Sequence, residues 1–185
     1  MLKDILREVE EKMRSSVEAT QHELSLLRTG KANLSILEPV KVDYYGSKAP
    51  LNQVATLSVP EPRMIMVQPW EPKQIPTIER AILEANIGLN PSSDGRVIRI
   101  PIPALTEERR KDLCKKAREV GEKGKVAIRH IRHEGRGQVE KEEKAKAISE
   151  DDRDQSFEKI QHLHDTHIEE ISRSVTRKEA DIMEV

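Results

Sequence analysis

Seven basic side chains, Lys111, Lys115, Arg118, Lys125, Arg129, Arg132 and Arg136, recur at spacings of three, four or seven residues. On an α-helix, which turns ~100° per residue, such spacing aligns them as one stripe, roughly opposite the apolar seam of the same segment. Arginine forks repeated along a helix match phosphate oxygens along a nucleic-acid backbone. The competing reading is a solvated face whose charges pair with Glu119, Glu122 and the acidic segment that follows. The residues alone leave both readings open. Shape favours RNA over DNA, and an aromatic content of 2% argues against a platform that stacks single-stranded bases.

The remaining reactive residues assemble less well. His162, His164 and His167 form an H-x-H-x-x-H cluster, but on a helix His162 points away from the other two, so no metal site is expected. Cys114, the only cysteine, sits beside Leu113 on an apolar seam with no partner base, which is the setting of a packed thiol rather than a nucleophile. The Gly121 to Lys125 string GEKGK has the wrong spacing for a phosphate loop and lies inside a helical pattern. A nucleophile elbow, a Gly-rich nucleotide fingerprint and a zinc-protease helix are all missing from the sequence. The chain reads as a binding device, not an enzyme, with no catalytic residues and no cofactor.

A net charge of -1 conceals a polarised distribution. Residues 105 to 148 carry 14 basic against 9 acidic side chains, whereas residues 149 to 185 carry 5 against 11. Only 36% of residues are hydrophobic, which suits long helices with narrow seams. A lone cysteine and a charged N-terminus without a signal-peptide or membrane-spanning run predict a soluble, cytoplasmic protein with no membrane contact.

Proline organises these elements. All ten prolines lie between Pro39 and Pro103, so both flanks are free to form uninterrupted helix. Leu2, Leu6, Val9, Met13, Val17, Leu24 and Leu27 mark a first helix, closed by Gly30, with Arg28 complementing its dipole. Between the flanks, Pro39 to Tyr45, Val54 to Val59, Met64 to Val67 and Arg96 to Ile102 read as strands, with Pro60 and Pro62 as separators. Thr77 to Ile87 reads as a helix capped by Thr77 and stopped by Gly88.

Thr106 caps a long second helix with a seam of Leu113, Ala117, Val120, Gly124, Ala127 or Ile128, and Ile131. Ser149 caps a third, with a seam of Phe157, Ile160, His164, Ile168, Ile171, Val175 and Ile182. Gly135 and Gly137 each weaken the second helix by about 1 kcal/mol relative to alanine, so its distal part is expected to bend or fray. None of the three helices buries its stripe alone, which predicts a three-helix bundle. The fold class is α+β: a bundle of residues 1–30 and 105–185 with a small inserted β/α/β domain of residues 31–104. The crossings at 29–33 and 102–105, through Thr29, Gly30, Lys31 and Pro103, Ala104, Leu105, read as a hinge.

Several strings taken together resemble the ribosome recycling factor family: LLRTGKA (26 to 32), VDYYGSKAPLNQVA (42 to 55), GLNPSSDG (88 to 95), IRIPIPALTEERRKDL (98 to 113), VAIRHIRHE (126 to 134) and ISEDD (148 to 152). They stand in that family's order across essentially the whole chain. The resemblance implies an L-shaped two-domain protein of roughly transfer-RNA dimensions, acting as a monomer. Its implied partners are the large ribosomal subunit with its RNA, and elongation factor G, which hydrolyses the GTP that helps split the ribosome. The family's ribosome-contacting arginines fall on Arg129 and Arg132, both in the stripe. The candidate RNA-binding set is Arg110, Lys125, Arg129, Arg132, His133 and Arg136. Three positions depart from the family pattern: His130 stands for asparagine, His133 for arginine, and Lys31 for arginine, which removes a planar fork near the hinge.

Overall fold

The computed structural model describes residues 1–184; Val185, the last residue assigned to the bundle from the sequence, lies outside the described residues. Four α-helices occur among them: α1 (Leu2–Ser25), α2 (Ile75–Glu84), α3 (Glu107–Lys144) and α4 (Glu150–Met183). The chain divides into two compact units, one of Met1–Leu27 with Glu107 onward, the other Arg28–Thr106.

In the first unit α1, α3 and α4 share one core. Val9, Met13 and Val17 of α1 meet Ile128, Ile131 and Val139 of α3 and Ile160 and Ile171 of α4. Each side chain of this size contributes about 1.5–3 kcal/mol on full burial, which a single narrow helix in water cannot collect. The start of α4 is fixed locally. Ser149 Oγ accepts from the Asp152 backbone N–H at 3.1 Å, and Asp152 Oδ2 accepts in return from the Ser149 N–H at 3.1 Å, a capping box.

The buried face of α3 differs from the expected seam. It comprises Leu113, Cys114, Ala117, Gly121, Gly124, Ile128, Ile131, Gly135 and Val139, with Val120 and Ala127 only half-buried. Three glycines lie on it because neighbouring helices approach too closely for a side chain. A Cβ on Gly121 would collide with Val175, one on Gly124 with Thr20, and one on Gly135 would lie 2.6 Å from Val9 Cγ2. The expected fraying beyond Gly135 and Gly137 is not seen: α3 continues as helix to Lys144, and packing compensates the low propensity of Gly135.

Helix ends also depart from expectation. Helix α1 stops at Ser25 with Leu26 as its C-cap, so Gly30 does not close it. Gly30 instead takes φ +77 in the second unit, with the Leu105 side chain against it. Arg28 is not a dipole partner, because its Nη2 donates to the Ile87 carbonyl. Helix α2 begins at Ile75 with a proline in its first turn, not at a Thr77 cap, and ends at Glu84, before Gly88.

The second unit contains β1 (Lys41–Tyr44), β2 (Ser47–Pro50), β3 (Ala55–Glu61), β4 (Met64–Pro69), β5 (Ser92–Ser93) and β6 (Ile98–Pro101). β1 and β2 form a hairpin through Tyr45 (φ 48) and Gly46 (φ 84), and the others form an antiparallel sheet in the order β3-β4-β6-β5. Alternation sets its register: Ile65 opposes Ile100 and Val67 opposes Ile98, all buried, and Met66 and Arg99 oppose each other on the other face. Ile75, Ile78 and Ile82 of α2 join the same core.

Pro60 does not separate strands. It lies within edge strand β3, where the register shifts between Ser58 and Glu61 and no ladder donor is needed. The turn after it anchors both ends of the unit, since Ala32 N–H donates to the Pro62 carbonyl at 2.7 Å and Ile102 N–H to the Arg63 carbonyl at 2.9 Å. Among the described residues no helix is long and apolar enough to cross a membrane.

Candidate nucleic-acid interface

The basic stripe of α3 does not lie opposite the buried face. With Cys114, Gly121 and Gly135 counted as buried, the stripe's centre lies roughly 100° from that face's centre at ~100° per residue. The stripe thus runs along the margin shared with α4, and α4 supplies many of its partners. Arg118 pairs with Glu179, Arg132 Nη1 donates to Gln161 Oε1 at 3.3 Å, and the Arg136 guanidinium stacks over the Phe157 ring at 4.3 Å.

The predicted RNA-binding residues fall into three environments. Arg110 is half-buried and donates through Nη1 to the Ile182 and Glu184 carbonyls at 3.1 and 2.8 Å, clasping the last turn of α4. Arg129 is exposed and pairs with Glu122 at 2.8 Å on its own helix; with the charge of half-buried Lys125 nearby, this holds the Glu122 carboxyl below its usual range. Arg132 is half-buried, while His133 and Arg136 are exposed. Among the described residues, neither Arg132 nor Arg136 has a carboxylate within ion-pair distance. Their partners are an amide and a ring, which fix direction without neutralising charge.

Behind Arg132 lies a polar chain on α4. Gln161 Nε2 and His164 Nδ1 both lie 2.8 Å from Asp165 Oδ1, and these contacts, His164 first, hold the Asp165 carboxyl below its ordinary value. Sequence reasoning missed Gln161 and Phe157 as supports. Their one signal is position: Phe157, Gln161 and Asp165 follow at steps of four along the α4 margin.

The histidines do not converge. His162 is exposed, His164 is engaged with Asp165, and His167 is buried with its Nδ1 2.6 Å from the Leu163 carbonyl. Among the described residues no group of three His, Cys, Asp or Glu is placed to hold a metal. Cys114 is buried, and desolvation pushes its thiol pKa up, away from thiolate reactivity.

The residues read as a hinge all belong to the second unit. Lys31 N–H reaches Thr29 Oγ1 at 3.4 Å, and a Cβ on Gly30 would lie 3.3 Å from Leu105 Cγ. Pro103 and Ala104 are exposed and Leu105 half-buried, in a stretch without regular secondary structure.

Residues 20–183 match the family described as Ribosome recycling factor. A ribosome-recycling factor of Halothermothrix orenii is 48% identical over the whole of both chains, and one of Clostridium novyi 45% over the same extent. A solution structure of a ribosome recycling factor superposes with a TM-score of 0.81 at 40% identity, covering 100% of this chain and 98% of that one. A second solved chain, 41% identical with full coverage of both and a TM-score of 0.67, belongs to a structure of the T. thermophilus ribosome recycling factor and the E. coli elongation factor G bound to the E. coli post-termination complex. From residue-level identity over the full length and a shared fold, the chain belongs to the ribosome recycling factor family.

Proposed function

We propose that this protein binds the post-termination ribosome and, with elongation factor G and GTP, promotes its dissociation into subunits for reuse. The observation that carries the proposal is the full-length likeness to a recycling factor solved together with elongation factor G on a post-termination complex. The charged margin of α3 supports the mode of attachment. Lys125, Arg129, Arg132, His133 and Arg136 offer large-subunit RNA a line of donors, and the proposal rests on these five because Arg110 already holds carbonyls of α4. No step in this scheme needs a catalytic residue, since the partner hydrolyses GTP, and the protein acts in the cytoplasm as a monomer.

The crossings Thr29–Lys31 and Pro103–Leu105 serve in this scheme as the hinge through which elongation factor G moves one unit against the other. The test is a subunit-splitting assay followed by light scattering. Full-length protein with elongation factor G and GTP splits ribosomes, whereas the bundle with residues 31–104 replaced by a short linker binds large subunits without splitting them. Full splitting by that shortened chain would leave occupancy as the sufficient cause and overturn the hinge. Wild-type binding by both Arg129→Ala and Arg132→Ala would overturn the RNA contact.

A further inference from the structure

We infer that Gln161, anchored by Asp165 and His164, is a positioning residue that aims the Arg132 guanidinium at ribosomal RNA. The inference rests on the proposed role of Arg132 in RNA contact.

Arg132 rises from α3 and is half-buried, so its direction depends on α4, the neighbour its side chain crosses. Among the described residues no carboxylate lies within ion-pair distance of it there, although Asp165 is near enough for the Arg132 charge to help lower its carboxyl pKa. Arg132 Nη1 donates instead to Gln161 Oε1 at 3.3 Å, a neutral acceptor that orients the guanidinium yet leaves its charge and its other N–H donors for phosphate. A carboxylate at the same place would compete with RNA for the fork. Arg118 and Arg129, paired with Glu179 and Glu122, are in that position.

The amide has only one favourable orientation. Gln161 Nε2 donates to Asp165 Oδ1 at 2.8 Å, so Oε1 faces Arg132. Turning the amide over would let its oxygen face His164 Nδ1, 3.3 Å away, but would set that oxygen against the Asp165 carboxylate and its NH2 against the guanidinium, two repulsions for one longer contact. Asp165 is held in turn by His164 Nδ1 at 2.8 Å; the His164 side chain is 12% exposed, and its Nε2 is buried without a hydrogen-bond partner. Asp165 is itself 63% exposed, so its direction comes from these contacts, and the largely buried His164 ring is the fixed end of the series. The series His164, Asp165, Gln161, Arg132 thus transmits a fixed direction from the packed margin of the bundle to the charged fork. Long arginine side chains lose rotamer entropy when fixed, and a fork already held by Gln161 loses less on binding.

The experiment uses the full chain and purified large subunits. Gln161→Met keeps the length and removes both polar ends; we expect affinity to fall about threefold to tenfold, the scale of one hydrogen bond that preorganises a charged donor, with the melting temperature unchanged. In an Arg132→Ala background the same substitution should have no further effect, which loss of packing alone would not reproduce. Gln161→Asn, too short to bridge Arg132 and Asp165 together, should behave like the methionine. Loss of binding in Arg132→Ala with wild-type binding in Gln161→Met overturns this inference alone. Equal, additive losses in the two backgrounds also overturn it. Wild-type binding in Arg132→Ala overturns the RNA reading, and this inference with it.

Discussion

Gly135→Ala and Gly137→Ala change the same helix two residues apart and should have opposite effects. Both gain about 1 kcal/mol of helix propensity. They differ in what the new methyl meets. At Gly137 nothing lies within 4 Å, so the gain is kept and the bundle should become more stable by about 1 kcal/mol. At Gly135 the methyl would lie 2.6 Å from Val9 Cγ2 and 3.5 Å from Ile160 Cδ1. Valine is stiff at χ1 and its methyl cannot simply rotate away, so α1 must shift or Val9 must leave its rotamer, at the ~1–3 kcal/mol typical of overpacking.

Subtracting one variant from the other cancels the propensity and isolates the packing cost. At roughly 2–4 °C per kcal/mol for a chain of this size, thermal melts followed by helical circular dichroism should separate the two variants by roughly 2–12 °C, with Gly137→Ala the higher. Val9→Ala removes the obstructing methyl, so the Val9→Ala, Gly135→Ala double variant should be more stable than the sum of the single changes predicts. Equal melting of the two glycine variants, or a Gly135→Ala protein more stable than wild type, would refute the close approach of α1 and α3 as the reason for Gly135.

Three further outcomes are expected. Hydrogen bonds from the backbone N–H groups of Val97 and Arg96, helped by Arg99, hold the Asp94 carboxyl at about 2; its contribution is complete above the ordinary value of 3.8 and is lost as pH falls from there towards 2. Trp70, the only tryptophan, reports on that unit, and its fluorescence should show a shallower acid transition in Asp94→Asn; an unchanged slope would contradict the assignment. Ser149→Ala should cost about 1 kcal/mol in thermal melts by removing the α4 capping box, and an unaltered melt would show the cap to be redundant. The Cys114 thiol should resist labelling in the native protein and label readily in denaturant, with Cys114→Ala only modestly destabilising; rapid native labelling would disprove its burial.

The sequence made some of this architecture legible because certain signals are strictly local. Ser149 with Asp152 three residues on is complete as a cap within one turn, and the alternation through Ile65, Val67, Ile98 and Ile100 sets the sheet face without long-range information. What escaped depends on distant partners. Ser47–Pro50 contains no strong β-former and becomes β2 only because Tyr45 and Gly46 fold it back onto β1. Gly121, Gly124 and Gly135 look like weak helix positions until Val175, Thr20 and Val9 are seen beside them. A seam without Gly121, Gly135 and Cys114 has a displaced centre, which puts the basic stripe opposite the core rather than along the α4 margin. Gln161 and Phe157 lie within the third helical segment, and nothing local marks which arginine each of them meets across the helix pair.

The turn at Pro62 and Arg63 bears on the order in which the chain folds. The bundle joins a helix ending at Ser25 to one beginning at Glu107, and closing a loop of roughly eighty residues costs about 4 kcal/mol of chain entropy before any bundle contact repays it. Ala32 and Ile102 donate to adjacent carbonyls of that turn, so a folded second unit already holds its two ends side by side. If that unit forms first, the bundle nucleates across a short effective loop, and its assembly becomes a nearly local event. The hairpin turn then acts as a folding splint, setting the rate at which α1 finds α3.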